Sequence, residues 1–313
     1  MSPRSKIRIK TEAAASRFLL KLIRLLPRRA ILALAWTGGN IGVLLDRRGR
    51  KIGLANLDVA FGDSKTTQEK KQILRQSFVT FVRTTLDVFW FGNRPGKLRR
   101  YVELDDSMQI LFQEKNQICI TAHFGNWEVV GQSMAMKGFP FSSIAMPLKN
   151  PAVDRILVEQ REITGQKIIQ REGALRKLLG VLRAGGKTAF LVDQNTEVKD
   201  GGIWVTYFGL PVLSTPAPAA LAAKTGSELI TGFCIPLPRG KYRVYVADVR
   251  PAPENSDSAT IQNITQKILT VIENEVRKAP HHWLWAYKRW KTVLRPEDLP
   301  HYPFYAEYDP KDL

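Results

Sequence analysis

From residue 101 onward the chain alternates short apolar runs with amphipathic helical stretches, and this alternation limits the possible folds more than any other feature. Residues 118–122, 143–146, 188–193, 228–235 and 242–249 read as strands. Residues 128–137, 152–164, 174–184, 218–225 and 260–278 carry helical periodicity. Strands separated by helices predict an α/β domain with a mixed, largely parallel sheet flanked by helices. The last two strands lie closer together and suit an antiparallel pair. No internal repeat or low-complexity linker interrupts the chain.

Composition sharpens this picture. With 313 residues, 44% of them hydrophobic, the chain can bury a large core without disulfide or metal staples. A charged fraction of 24% with a mean hydropathy of −0.19 excludes a wholly disordered chain and a polytopic membrane protein. Cys119 and Cys234 are too few for a secreted disulfide framework, and four histidines leave little room for a metal site. His281 and His282 have no cysteine or carboxylate cluster beside them.

Charge is the outlier. The net charge is +18, and residues 1–50 hold 12 Lys and Arg against Glu12 and Asp46, an excess of 12 − 2 = +10. Such a distribution describes a basic arm that seeks an anionic partner. Within it Arg17, Lys21 and Arg24 share one helical stripe, opposite Leu19, Leu22, Ile23 and Leu26. Pro27 and the pair Arg28–Arg29 follow, and residues 30–45 carry no charge. The uncharged run is shorter than the roughly 20 residues of a spanning helix. A basic amphipathic helix followed by a short apolar run suits an interfacial element on an anionic membrane. A tilted spanning helix, a signal peptide cleaved after Ala33–Leu34–Ala35, and a core helix of the fold stay open as other readings. The organisation expected is a membrane-anchoring segment at 1–45, a helical region at 46–100 packed on the core, and an α/β domain at 101–313.

Chemistry concentrates in one stretch. The strand Ile118-Cys119-Ile120 runs into His123, Gly125 and Asn126 supply turn and N-cap residues, and Trp127-Glu128 opens a helix. On one continuous helix, His123 and Glu128 would stand about 140° apart; the intervening turn lets them converge. They sit at the carboxyl end of a strand, where open α/β sheets bind ligands. A carboxylate on one imidazole nitrogen makes the other a base towards a hydroxyl. A histidine that merely caps a turn stays open as the alternative, which the strand–turn–helix setting makes the weaker one. Gly185-Gly186-Lys187-Thr188 is no phosphate loop, because Val181 stands where a glycine is needed and a strand follows. No Gly-x-Ser-x-Gly elbow is present.

His123-Phe124-Gly125-Asn126-Trp127-Glu128 resembles the His-x4-Asp/Glu motif of lysophospholipid-type acyltransferases. More closely, the chain is similar to the bacterial lipid A biosynthesis acyltransferases, the late lauroyl/myristoyl transferases. Lys149-Asn150-Pro151, Gln170-Arg171-Glu172-Gly173, Leu191-Val192-Asp193-Gln194 and the stretch from Trp283 to Lys291 agree in order and spacing. The resemblance implies transfer of a fatty acyl group from acyl carrier protein or coenzyme A to a hydroxyl of a lipid A precursor or similar glycolipid. His123 would be the general base and Glu128 its orienting partner. Arg171, Asp193 and Gln194 would shape the substrate site, while the backbone N–H groups of Gly125 and Asn126 would meet the oxyanion. It implies no metal, no cofactor beyond the thioester co-substrate, and an enzyme at the inner membrane facing the cytoplasm. Arg17, Lys21, Arg24, Arg28, Arg29 and Trp290 would contact the membrane. Other acceptors (a lysophospholipid, an ornithine lipid, a phosphatidylinositol mannoside) and thioester hydrolysis use the same base. A non-enzymatic protein binding nucleic acid or anionic lipid through charge would lack an organised strand-end histidine, and no nucleic-acid partner is expected.

Overall fold

In the computed structural model, residues 18, 20–92, 94–145, 150–163, 165–170 and 173–310 are described. Arg17 and Arg171 lie outside them. Among the described residues, a helical stretch at 20–25 is followed by the long helices α1 (Arg28–Leu45), α2 (Arg47–Phe61) and α3 (Thr67–Phe91). A capping box between Thr66 and Glu69 starts α3 by satisfying two otherwise unpaired backbone groups. The short α4 (Pro95–Tyr101) then leads into β1 (Val102–Leu104).

The α/β domain follows as β2 (Gln117–Thr121), α5 (Trp127–Met136), β3 (Phe141–Ala145), α6 (Pro151–Glu162), β4 (Lys167–Gln170), α7 (Ala174–Arg183) and β5 (Lys187–Leu191). After it come the hairpin β6 (Ile203–Tyr207) and β7 (Leu210–Ser214), then α8 (Ala217–Thr225), β8 (Glu228–Pro236), β9 (Tyr242–Arg250) and α9 (Ser258–Lys278). Seven strands form one sheet in the order β1-β9-β8-β2-β5-β3-β4. Strands β8, β2, β5, β3 and β4 are mutually parallel, and β9 runs antiparallel to β8. The mixed, largely parallel sheet flanked by helices is thus the architecture read from the sequence.

Alternation along β2 divides the interior. Ile118 and Ile120 enter a core with α7, α9 and Trp283, Trp285 and Trp290. Cys119 enters a second core with Met108, Leu111, Phe141, Ile230 and Val244. Trp290 is therefore no headgroup anchor: it is fully buried, stacks on Tyr207 at 5.9 Å, and donates its indole N–H to the Tyr207 carbonyl at 3.3 Å. Covering the β6–β7 hairpin buries more apolar area than exposure at an interface would allow this indole.

The uncharged run at 30–45 lies within α1, and its two faces differ. Ile31, Ala35 and Gly39 are buried. At Gly39 a Cβ would stand 2.5 Å from the Val79 Cα, so only glycine lets α1 approach α3 this closely. Leu34, Trp36, Ile41, Leu44 and Leu45 are exposed. Among the described residues, no helix is long and apolar enough to cross a membrane. Arg28 is not the membrane contact expected of it. It is buried, its guanidinium grips both carboxylate oxygens of Asp87, and it donates to the Gly240 carbonyl at 2.8 and 3.0 Å. A guanidinium this well paired has no reason to seek a headgroup. Lys21 and Arg29 are exposed, and Arg24 is half-buried.

Candidate active site

Strand β2 ends at Thr121, and the chain turns sharply before α5. Gly125 makes the turn possible: its φ is +62°, and a Cβ there would stand 1.9 Å from the Cys234 carbonyl oxygen. Asn126 caps α5 by accepting from the Val129 N–H at 3.2 Å, and its amide donates to Asp87 at 3.3 Å. The turn is thereby pinned from several sides. It also uses the donors expected to meet an oxyanion. Gly125 N donates to the His282 carbonyl at 2.9 Å, and Asn126 N donates to the Cys234 carbonyl at 2.8 Å. Both N–H groups serve the fold, and neither is left for a substrate oxygen.

The carboxylate that holds His123 is Asp193, not Glu128. Asp193 Oδ1 lies 2.9 Å from His123 Nδ1, and Oδ2 accepts the His123 backbone N–H at 2.9 Å. Parallel pairing of β2 with β5 brings the two residues together, extended by a bond from Val192 N to the Thr121 carbonyl at 3.2 Å. The Trp283 indole donates to Asp193 Oδ2 at 2.8 Å. Burial pushes the Asp193 carboxyl up, but the charge of His123 and the bonds from His123 and Trp283 outweigh it and hold the carboxyl below its usual range. With Nδ1 donating to this carboxylate, the His123 Nε2 lone pair faces the Gln194 side-chain amide at 3.4 Å.

Glu128 has a different partner. Arg161, on α6, grips it through Nε–Oε2 at 3.0 Å and Nη2–Oε1 at 2.5 Å. Burial draws the Arg161 pKa down, yet the charge and bonds of Glu128 more than offset this and leave it raised. Nothing in the sequence singled out Arg161, which is one of two arginines on a predicted helix, the other being Arg155. Trp283 was likewise only one tryptophan among several; its bond to Asp193 spans 90 positions.

His123, Glu128, Arg161 and Gln194 open onto one cavity of about 1080 Å³. Thr121 Oγ1 and Asn195 Oδ1 line it and are buried without a hydrogen-bond partner, so they offer a substrate two polar contacts. One wall is apolar, formed by Met108, Leu111, Cys119, Phe141 and Val244 from the second core, while Glu197, Lys199 and Asp200 add charge at another part of the lining. Burial pushes the Cys119 thiol up to about 12, so it contributes as an apolar wall and not as a nucleophile. A histidine with a buried carboxylate behind it, facing a cavity with one apolar wall, is an arrangement of the class that can take a proton from a bound group.

Comparison with known proteins defines that class. Residues 3–292 match the family model described as bacterial lipid A biosynthesis acyltransferase. The chain belongs to this family and is an acyltransferase. It is 24% identical over 271 residues to the lipid A biosynthesis palmitoleoyltransferase of Escherichia coli, covering 83% of this chain and 85% of that one. The E. coli lipid A biosynthesis lauroyltransferase is 22% identical over 288 residues, 90% of this chain and 91% of that one. The phosphatidylinositol mannoside acyltransferase of Mycolicibacterium smegmatis is 24% identical over 233 residues, 72% and 74% of the two chains. Among solved structures, the 1-acyl-sn-glycerophosphate acyltransferase of Thermotoga maritima matches with a TM-score of 0.39 and 15% identity, over 82% of this chain and 99% of that one.

Proposed function

We propose that the protein moves a fatty acyl chain from an acyl carrier protein or coenzyme A thioester to a hydroxyl of a lipid A precursor or similar glycolipid, with His123 as general base. The observation that carries this reading is the Asp193–His123 pair, 2.9 Å apart, at a cavity with a buried apolar wall. In this scheme His123 Nε2 takes the proton of the acceptor hydroxyl as its oxygen attacks the thioester carbonyl. Asp193 stabilises the imidazolium that forms. The tetrahedral intermediate then collapses, the carbon–sulfur bond breaks, and the imidazolium returns its proton to the departing thiolate. The Gln194 amide, beside Nε2, supplies N–H donors where charge develops on the carbonyl oxygen. Arg161, held by Glu128, adds positive charge to the same space. Met108, Leu111, Phe141 and Val244 receive the acyl chain.

The exposed apolar residues of α1, together with Lys21 and Arg29, dock the enzyme on the cytoplasmic leaflet of the inner membrane. Because relatives named for two glycolipid classes match at the same 24% identity, the acceptor is the point to test. Purified protein is incubated with radiolabelled acyl carrier protein thioester and, separately, a lipid A precursor or a phosphatidylinositol mannoside, beside a His123→Ala control. Label entering the lipid A precursor and lost in the variant supports the reading. Label entering only the mannoside reassigns the acceptor, and label released as free fatty acid in every case rejects transfer.

A further inference from the structure

One group of cations has no role in the chemistry above. Arg24 lies in the helical segment 20–25, Arg94 in the turn after α3, and Lys97 in α4. They meet where the N-terminal segment crosses α4, and Lys97 Nζ donates to the Arg24 carbonyl at 3.3 Å. Arg24 reaches the side-chain oxygen of Gln160 on α6, while its Nε is buried with no partner. The Lys97 ammonium stands 3.7 Å from the centroid of Trp90, whose ring also carries the Arg28 guanidinium at 4.8 Å. Asp87 balances Arg28. Among the described residues, no carboxylate pairs with Arg24, Arg94 or Lys97.

Like charges held this close repel, and the groups register it. Burial, then Arg94 and Arg28, lower Lys97 to about 8; burial and Arg94 lower Arg24. A fold keeps such an arrangement at a cost in stability, which an anion placed among the three would relieve. What surrounds the cluster identifies the anion. Phe18, Leu22 and Leu25 of the same segment are 66%, 45% and 73% exposed, large apolar side chains that the described residues leave uncovered. Cations beside exposed apolar residues match a ligand that carries phosphate and hydrocarbon together.

We propose that Arg24, Arg94 and Lys97 form a binding site for the phosphate of an anionic phospholipid headgroup, with Phe18, Leu22 and Leu25 entering the adjoining acyl region. The proposal rests on the membrane-docking part of the function above and narrows it to one headgroup site. Since α6 carries both Gln160, which holds Arg24, and Arg161, which holds Glu128, the bound lipid lies beside a helix that also lines the active-site cavity.

The test is flotation of the full-length protein with vesicles of phosphatidylcholine alone or mixed with phosphatidylglycerol. The variant Arg24→Gln/Arg94→Gln/Lys97→Gln is compared with Arg176→Gln/Lys177→Gln/Lys267→Gln, which removes the same charge from exposed positions on α7 and α9. We expect the cluster variant to lose between about tenfold and a hundredfold of its affinity for phosphatidylglycerol vesicles, and the control less than about threefold. Equal losses in the two variants would mean that net charge alone drives binding and would overturn the site. Displacement of the protein from vesicles by inorganic phosphate at matched ionic strength would show a free-anion site and overturn the headgroup assignment. If Leu22→Ser/Leu25→Ser abolishes flotation while the cluster variant retains it, the headgroup site is wrong and membrane docking survives. Failure of the wild-type protein to float with any vesicle removes both.

Discussion

Asp193 accepts two hydrogen bonds from a single residue, one from the backbone N–H of His123 and one from its imidazole, each at 2.9 Å. A carboxylate held this way fixes the position of the histidine and the tautomer of its ring together. Asp193→Asn would keep the size but offer an N–H where the ring needs an acceptor, favouring the wrong tautomer. The expected loss in kcat is on the order of 10³–10⁴, with KM for the acyl donor changing little. Steady-state acyl transfer measures it, and a variant within tenfold of wild type would remove Asp193 from the mechanism.

Glu128 and Arg161 act as a unit. Arg161→Gln leaves Glu128 in the cavity wall without its partner, and Glu128→Gln does the converse. Each single variant is expected to lose stability, and the double variant less than their sum, with a coupling of about 1–3 kcal/mol. Urea unfolding of the four proteins gives this number directly. Additive losses would mean that the two bonds seen between these side chains contribute nothing.

In the proposed reaction the apolar wall sets which acyl chains fit. Met108 and Leu111 are 1% and 3% exposed and belong to the short helical turn Asp106–Phe112 beneath the sheet. Enlarging either fills volume that hydrocarbon would otherwise occupy. Leu111→Phe is expected to shift the preference towards shorter acyl donors, lowering kcat/KM for the longest chain about tenfold or more while sparing the shortest. A panel of thioesters of increasing length tests this, and a uniform loss across the panel would indicate general misfolding of the wall.

Much of this was legible in the chain because strands and helices declare themselves locally. The stretch expected at 228–235 is the strand Glu228–Pro236, and that expected at 174–184 is the helix Ala174–Arg183. The hairpin β6–β7 escaped because its turn is unusual: Phe208, with φ +50°, precedes Gly209, where asparagine or glycine normally signals such a turn. Strand β4 escaped because four residues at a sheet edge carry too little pattern. The error over Glu128 has another origin. Sequence shows only residues near His123 along the chain, whereas the carboxylate it uses arrives across a parallel strand pair, 70 positions away. Arg28 and Trp290 were misplaced for a related reason. Their charge and aromatic character suit an interface, and only the tertiary structure supplies Asp87 for one and Tyr207 for the other.

His282 makes stability depend on pH in a defined direction. Burial, aided by repulsion from His281 and Arg83, lowers its pKa from the ordinary 6.5 to about 3. The unfolded chain therefore takes up a proton near pH 6.5 that the folded chain refuses until about pH 3. Between those values the unfolded state binds more protons, so stability is complete above the unfolded value and is lost as pH falls. His281, also lowered by burial, acts in the same sense. From pH 7 to pH 5 the contribution of His282 is expected to reach about 2 kcal/mol. Urea unfolding at the two pH values, for wild type and His282→Gln, isolates it. The variant is expected to be less stable at pH 7, because the ring packs on Phe124 at 5.6 Å, yet to lose less on acidification. An identical loss in both proteins would place the acid sensitivity elsewhere, first at His281, whose pKa burial also lowers from 6.5 and which acts in the same window.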